Sequence, residues 1–299
     1  MFRTWLSPPD PSINHNTACE IRHDGTATWF IQGNIFRGWK EKGPLLWIHG
    51  TRKHPLCFLS VLPLMLSPKS QRVWGRVSFG ARVPVCFGNM GPIFSFSSAV
   101  IEDIKNARDT GSALIAFYYF DYKNSSKRDI CGLLASLIFQ LSHVSDRCWD
   151  VLYQLYTKCK DGYDQPSTAA LEKCLEHMLK LPERPPIFII LDALDECPNT
   201  TETPSARDKV LKFVNDLVGS GHSNLYICIT SRPEQDIQSV LNPLTSPSHR
   251  VSLHEEAGQR EDIDTFLRSF VQTDIAMRRW KEKDKELVIN TLSERANGM

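Results

Sequence analysis

"IFIILDALDECP", residues 187–198, runs from an unbroken apolar stretch into Asp192, Asp195 and Glu196. A short continuous apolar run has the length and character of a strand buried on both faces of a parallel sheet. Acids at its end then lie at the carboxyl edge of the sheet, where open α/β proteins place their ligands. Carboxylates there suit a hydrated Mg²⁺, which in nucleotide-hydrolysing proteins accompanies a bound triphosphate. Asp192, at the strand tip, is the candidate metal residue. Glu196 is the candidate to polarise an attacking water, and Asp195 either shares that catalytic task or orients the loop. The plainer alternative is a helix N-terminus made acidic to suit the macrodipole. It explains one acid but not a strand-terminal trio.

A second apolar run ends in the same way. "NLYICITSRPE", residues 224–234, passes from a strand into Thr230, Ser231 and Arg232 before Pro233. Polar residues at the carboxyl edge of an adjacent strand face the crevice that Asp192 faces. Ser231 and Arg232 are therefore candidate cofactor contacts, with Arg232 suited to a γ-phosphate. The plainer reading of Arg232 is a surface residue opening a helix.

Around these strands, apolar runs alternate with amphipathic ones. Strands are expected at 43–50, 112–121, 187–191, 224–230 and near 250–254. Helices are expected at 26–42 (with Thr26 as cap), from Ser98 to Asp109, at 128–144, near 147–160, at 167–180 with Ser167 as cap, and near 205–219. From Arg260 the text is helical and charged. Alternation of this kind predicts an α/β fold, a parallel sheet with helices on both faces. Residues 1–18 are polar and proline-bearing and read as a connector.

Composition narrows the function classes. The 299 residues are 41% apolar and 23% charged, as in an ordinary globular protein. A net charge of +1 gives no electrostatic case for nucleic acid or an anionic membrane. The N-terminus lacks a signal peptide's apolar core, and the longest membrane candidate, residues 56–67, is interrupted by Pro63. The nine cysteines are scattered singly with dispersed histidines, so reduced cytoplasmic thiols are expected rather than a zinc site or disulfides.

Residues 51–97 break the pattern. They hold six Lys or Arg, five prolines and no Asp or Glu, so this segment is +6 while the other 252 residues sum to −5. Neither helical nor strand periodicity is sustained, and so long a structureless loop is unusual inside a compact domain. Two readings stand: a basic, partner-binding insert, or text from a retained intron or misplaced exon boundary.

Together, "LLWIHG" (45–50), "FIILDALDEC" (188–197) and "ICITSRPEQDI" (227–237) resemble the NACHT class of signal-transduction NTPases. The likeness is strongest to the fungal proteins with a nephrocystin-3-like N-terminal module. "CEIRHDGTATWF" (19–30) is similar to that family's lead-in, and "SLHEEAGQREDIDTFLRSFV" (252–271) with "LSERANGM" (292–299) to its trailing helical region. The resemblance implies a P-loop NTPase-type domain over 19–257, then the start of a helical arm over 258–299, cut short. It implies Mg²⁺ with ATP or GTP as cofactor, and self-oligomers or protein partners in signalling. Relatives often carry repeat and effector domains.

The motif that should hold the phosphates is missing. A P-loop needs G-x-x-x-x-G-K-[ST]: glycines so that amides wrap phosphates, a lysine charge, and a hydroxyl for Mg²⁺. Gly50 stands where it should begin, but "TRKHPLCF" follows, and none of the 16 glycines precedes a lysine. "GNMGPIFSFSS" (88–98) has a glycine pair before the helix, but Pro92 and Ile93, not a lysine and a hydroxyl, follow the second glycine. Impaired nucleotide binding is the expectation, with a non-catalytic pseudo-NTPase scaffold as the alternative.

Overall fold

The computed structural model describes residues 1–22, 25–50, 92–253, 256–273, 277 and 280–297. Residues 1–18, which read as a connector, contain regular structure. They form helix α1 (Phe2–Leu6) and most of α2 (Ser12–Ile21). Phe2, Trp5 and Leu6 fall at helical spacing on one face and are buried, which gives this short helix a reason to dock. The Trp5 indole N–H also donates to the Asp164 carbonyl at 2.9 Å.

The helix expected over 26–42 is two, α3 (Thr28–Ile31) and α4 (Asn34–Lys42). The break falls at Gly33, where a Cβ would sit 2.9 Å from the Trp29 carbonyl oxygen. The residue ahead of α3 is Ala27, at φ 63°, not Thr26. Strand β1 (Leu45–His49) follows. Helix α5 begins at Pro92 and runs to Asp109, six residues earlier than expected, so residues 92–97 belong to it and not to an insert. The remainder of that insert, residues 51–91, lies outside the described residues.

Next come β2 (Leu114–Tyr119), α6 (Ile130–Val144), α7 (Asp146–Lys158) and α8 (Thr168–Leu179). Ser167 caps α8 as expected, accepting from the Ala170 N–H. Strand β3 (Ile187–Asp192) leads to α9 (Ala206–Gly219), whose start carries a reciprocal capping box between Ser205 and Asp208. Strand β4 (Leu225–Ser231), helix α10 (Gln235–Leu244), which was not expected, and β5 (Arg250–Ser252) complete the sheet region. Helices α11 (Ala257–Thr273) and α12 (Glu282–Asn297) pack on each other through Leu267, Val271, Val288 and Ile289. Asp262 of α11 accepts from the Ala27 amide and the Trp29 indole, which ties this pair to the α3 region.

The five strands are all parallel, in the order β2-β3-β4-β1-β5. Two separate apolar cores flank the sheet. One contains α1 and α6–α10; the other contains α3, α4 and α5. This is the α/β architecture that the alternating pattern predicts, and it is consistent with the P-loop NTPase-type fold that the resemblance implies. Because every strand points the same way, Gly50, Tyr119, Asp192 and Ser231 all end at one edge.

Candidate functional site

Strand β3 is buried at all six positions and delivers Asp192 to the sheet edge at 1% exposure. Ala193 then turns the chain at φ 55°, its amide donating to Thr230 Oγ1 at 3.0 Å. The Thr230 hydroxyl donates in turn to Asp192 Oδ1 at 2.6 Å, and Ser97 Oγ of α5 donates to the same oxygen. Asp192 Oδ2 is buried and has no hydrogen-bond partner among the described residues. Burial pushes the Asp192 carboxyl up to about 7, against the two hydroxyl bonds and with help from the Asp195 and Glu196 charges. Near neutral pH this group is poised between acid and carboxylate.

Asp195 and Glu196 sit in a single 3₁₀ turn after Ala193, anchored by buried Leu194. They diverge. The Asp195 carboxylate turns to Arg232, accepting from its backbone N–H at 2.9 Å and its Nε at 2.6 Å. Glu196 Oε2 accepts from the Tyr122 amide at 3.4 Å, on the side of the loop after β2. Burial works against the Arg232 charge, but Asp195, with Glu234 and Glu196, holds its pKa above the usual value.

Ser231 lies at the expected edge, yet its hydroxyl accepts from the buried Trp47 indole at 2.9 Å, away from Asp192. Thr230 is the β4 residue that meets the acid. Consecutive strand side chains alternate faces, so only one of the two hydroxyls reaches Asp192. Gly50 is next to this pair, its amide 3.4 Å from the Ser231 carbonyl oxygen. The loop that follows it is outside the described residues.

Three site residues escaped sequence reading. Ser97 falls at the end of the compositionally anomalous segment, although it shares helical spacing with Val100, Ile101 and Ile104. Thr230 and Ser231 are not separable from one strand's sequence, because register is not visible there. Arg207 gave no signal. It is buried, and its guanidinium reaches the carbonyls of Cys197 (2.9 Å) and Asp195 (2.6 Å) as well as Glu234 (2.5 Å) and Asp236 (3.0 Å). Together Tyr122, Arg128, Asp195, Glu196, Arg207 and Arg232 line an open cleft of about 360 Å³.

Chemically, the edge offers one buried acid with a free oxygen, a hydroxyl pair that fixes its orientation, and an acid–arginine pair alongside. The unpartnered Asp192 oxygen is a group that could accept from the water shell of a divalent cation. No phosphate-wrapping loop is present among the described residues to fit a nucleotide beside it.

Residues 95–232 match the family model described as Nephrocystin 3, N-terminal. The matched stretch opens in α5 and closes on Arg232, so it takes in Ser97, Asp192, Asp195, Glu196 and the β4 edge but not Gly50. Comparison with curated proteins and with solved structures finds no match. Among the described residues, no helix is long and apolar enough to cross a membrane.

Proposed function

We propose, from the nephrocystin-3-like stretch at 95–232, that the chain is a NACHT-type, nucleotide-dependent signalling switch module of the cytoplasm. Its binding of Mg²⁺ with ATP or GTP is impaired because the phosphate loop is lost, and it acts through self-association or a protein partner. The observation that carries the reading is Asp192, buried at a strand end with one oxygen unsatisfied. Such a group costs stability in a fold without a cation for it, so its placement is best understood as an inherited metal contact. In this reading Asp192 would hold the metal through its water shell, Glu196 would polarise an attacking water, and Arg232 would turn from Asp195 toward the γ-phosphate.

The scaffold reading has its own support. Asp195 and Arg232 already satisfy one another, and Arg207 binds Glu234 and Asp236, so this edge is largely self-neutralised.

Thermal-shift titration with Mg-ATP and Mg-GTP separates the two when run beside a repaired chain. The helix start at Pro92 sets the design: residues 51–94 are replaced by four residues and Gly-Lys-Ser, so that Gly50 opens a complete motif leading into Ser95. The α5 N-terminus then adds its amides to the phosphate cradle. The natural chain should show almost no stabilisation. The repaired chain should bind in the micromolar range, on the order of −8 kcal/mol, and lose that binding with Asp192→Ala. A folded repaired chain that ignores both nucleotides rejects the switch and leaves the scaffold.

A further inference from the structure

Away from the sheet edge, α2 and α5 bring metal-ligating side chains together. His15 and Cys19 are four residues apart on α2 and therefore share a face, and α5 packs against that face with Glu102 and Lys105. His15 Nε2 lies 2.9 Å from Glu102 Oε1 and 3.6 Å from Cys19 Sγ, and the three ligand atoms all lie within 4.8 Å of one another. The imidazole is buried between the helices and β2. Its Nδ1 is 3.0 Å from the Tyr119 hydroxyl, and its ring packs on Phe117 at 5.0 Å. A ring fixed at one nitrogen by an outer partner presents the other nitrogen for ligation.

Lys105 Nζ sits against two members of this group, 2.7 Å from His15 Nε2 and 3.0 Å from Glu102 Oε1. With the proton on Nδ1, Nε2 and the carboxylate are two acceptors held at 2.9 Å by a shared cation. With the proton on Nε2, the ring N–H faces an ammonium that has nothing to accept. The first arrangement is consistent: a nitrogen and an oxygen lone pair converge on the Lys105 ammonium, and Cys19 Sγ lies 3.6 Å from that nitrogen.

We propose that His15, Cys19 and Glu102 form a binding site for a thiophilic divalent ion of the zinc class, which Lys105 fills as a built-in competitor when the metal is absent. Tetrahedral bonds of about 2.0–2.3 Å set nitrogen and sulfur about 3.6 Å apart, and nitrogen and oxygen about 3.4 Å apart. The first separation is already present, and the second needs only a small shift of Glu102, whose side chain is 43% exposed. Three protein ligands leave the fourth position to solvent. On binding, the metal–sulfur bond replaces the Cys19 S–H bond, the proton passes to solvent, and the Lys105 ammonium swings outward still protonated. The ion would staple the N-terminal helices to α5, the helix that carries Ser97 to Asp192.

The test uses the full, reduced chain, freed of metal by a chelator and titrated with Co²⁺ as a spectroscopic probe, then with Zn²⁺ as competitor. The expected result is one equivalent of Co²⁺ giving a thiolate-to-cobalt charge-transfer band that Zn²⁺ removes. Cys19→Ser, which preserves shape, should abolish the band. Glu102→Gln should weaken binding about tenfold or more. Lys105→Gln should tighten it by about tenfold, a gain that a merely structural lysine would not give. A folded wild-type chain without the band overturns the proposal. So does a band that survives Cys19→Ser, or binding unchanged by Glu102→Gln or by Lys105→Gln.

Discussion

Asp195 grips Arg232 at two points, accepting from its backbone N–H at 2.9 Å and from its Nε at 2.6 Å. The Asp195 side chain is 7% exposed and that of Arg232 37%, so the carboxylate is the partner that depends on the pair. Removing the arginine strands a nearly buried charge. Arg232→Ala should cost about 2 kcal/mol in urea unfolding, less than a fully buried pair because Arg232 is partly solvated. The Asp195→Ala, Arg232→Ala cycle should show coupling of about 1 kcal/mol or more. Additive single changes would mean that the two residues do not stabilise one another.

Asp192 gives a pH signature. Its carboxyl has an unfolded value near 3.8 and a folded value of about 7. Between these the native state keeps a proton that the unfolded chain has released, so stability falls as pH rises from about 4 to about 7. Asp192→Asn removes that loss. In metal-free buffer its unfolding free energy in urea should exceed that of wild type above pH 7, by on the order of a few kcal/mol, and the gap should close toward pH 4. A gap that does not change with pH counts against a raised carboxyl.

The two hydroxyls that end β4 should separate by face. Thr230→Val leaves the buried Ala193 amide and Asp192 Oδ1 each short of a partner and should cost about 2–3 kcal/mol. Ser231→Ala leaves only the Trp47 indole unpartnered and should cost about 1–2 kcal/mol. In the repaired chain, Thr230→Val should also weaken Mg-nucleotide binding, whereas Ser231→Ala should not. The reverse ranking would show that Ser231 is the one that serves the site.

Helix α1 should behave as part of the core. Trp5 is buried and stands edge-on to Tyr156 with ring centroids 5.1 Å apart. Trp5→Ala should cost about 3 kcal/mol or more. Deleting residues 1–6 should lower the Tm of the whole domain, where a mere connector would be dispensable.

The strands that fix the fold were legible because they are buried on both faces. Such a strand must be apolar throughout, and its composition survives without knowledge of neighbours. The acids after 187–191, the polar end of 224–230 and the Ser167 cap were readable for the same local reason. Pattern failed where a residue's role depends on what packs against it. Phe2, Trp5 and Leu6 look like a connector until α6 and α7 give them a surface, and Ser97 looks like part of an anomalous segment until α5 lays it on Asp192.

By itself, then, the sequence determined the α/β alternation, the acidic strand end and the absence of a lysine after any glycine, because each is a property of contiguous residues. Tertiary structure alone decided that Thr230 rather than Ser231 meets Asp192, since that depends on register and on which face a side chain takes. It also decided that Asp195 turns to Arg232 while Glu196 turns to the loop after β2. The His15, Cys19 and Glu102 group belongs to the same class: His15 and Glu102 are 87 residues apart in the chain, and only the packing of α2 on α5 brings them within 2.9 Å.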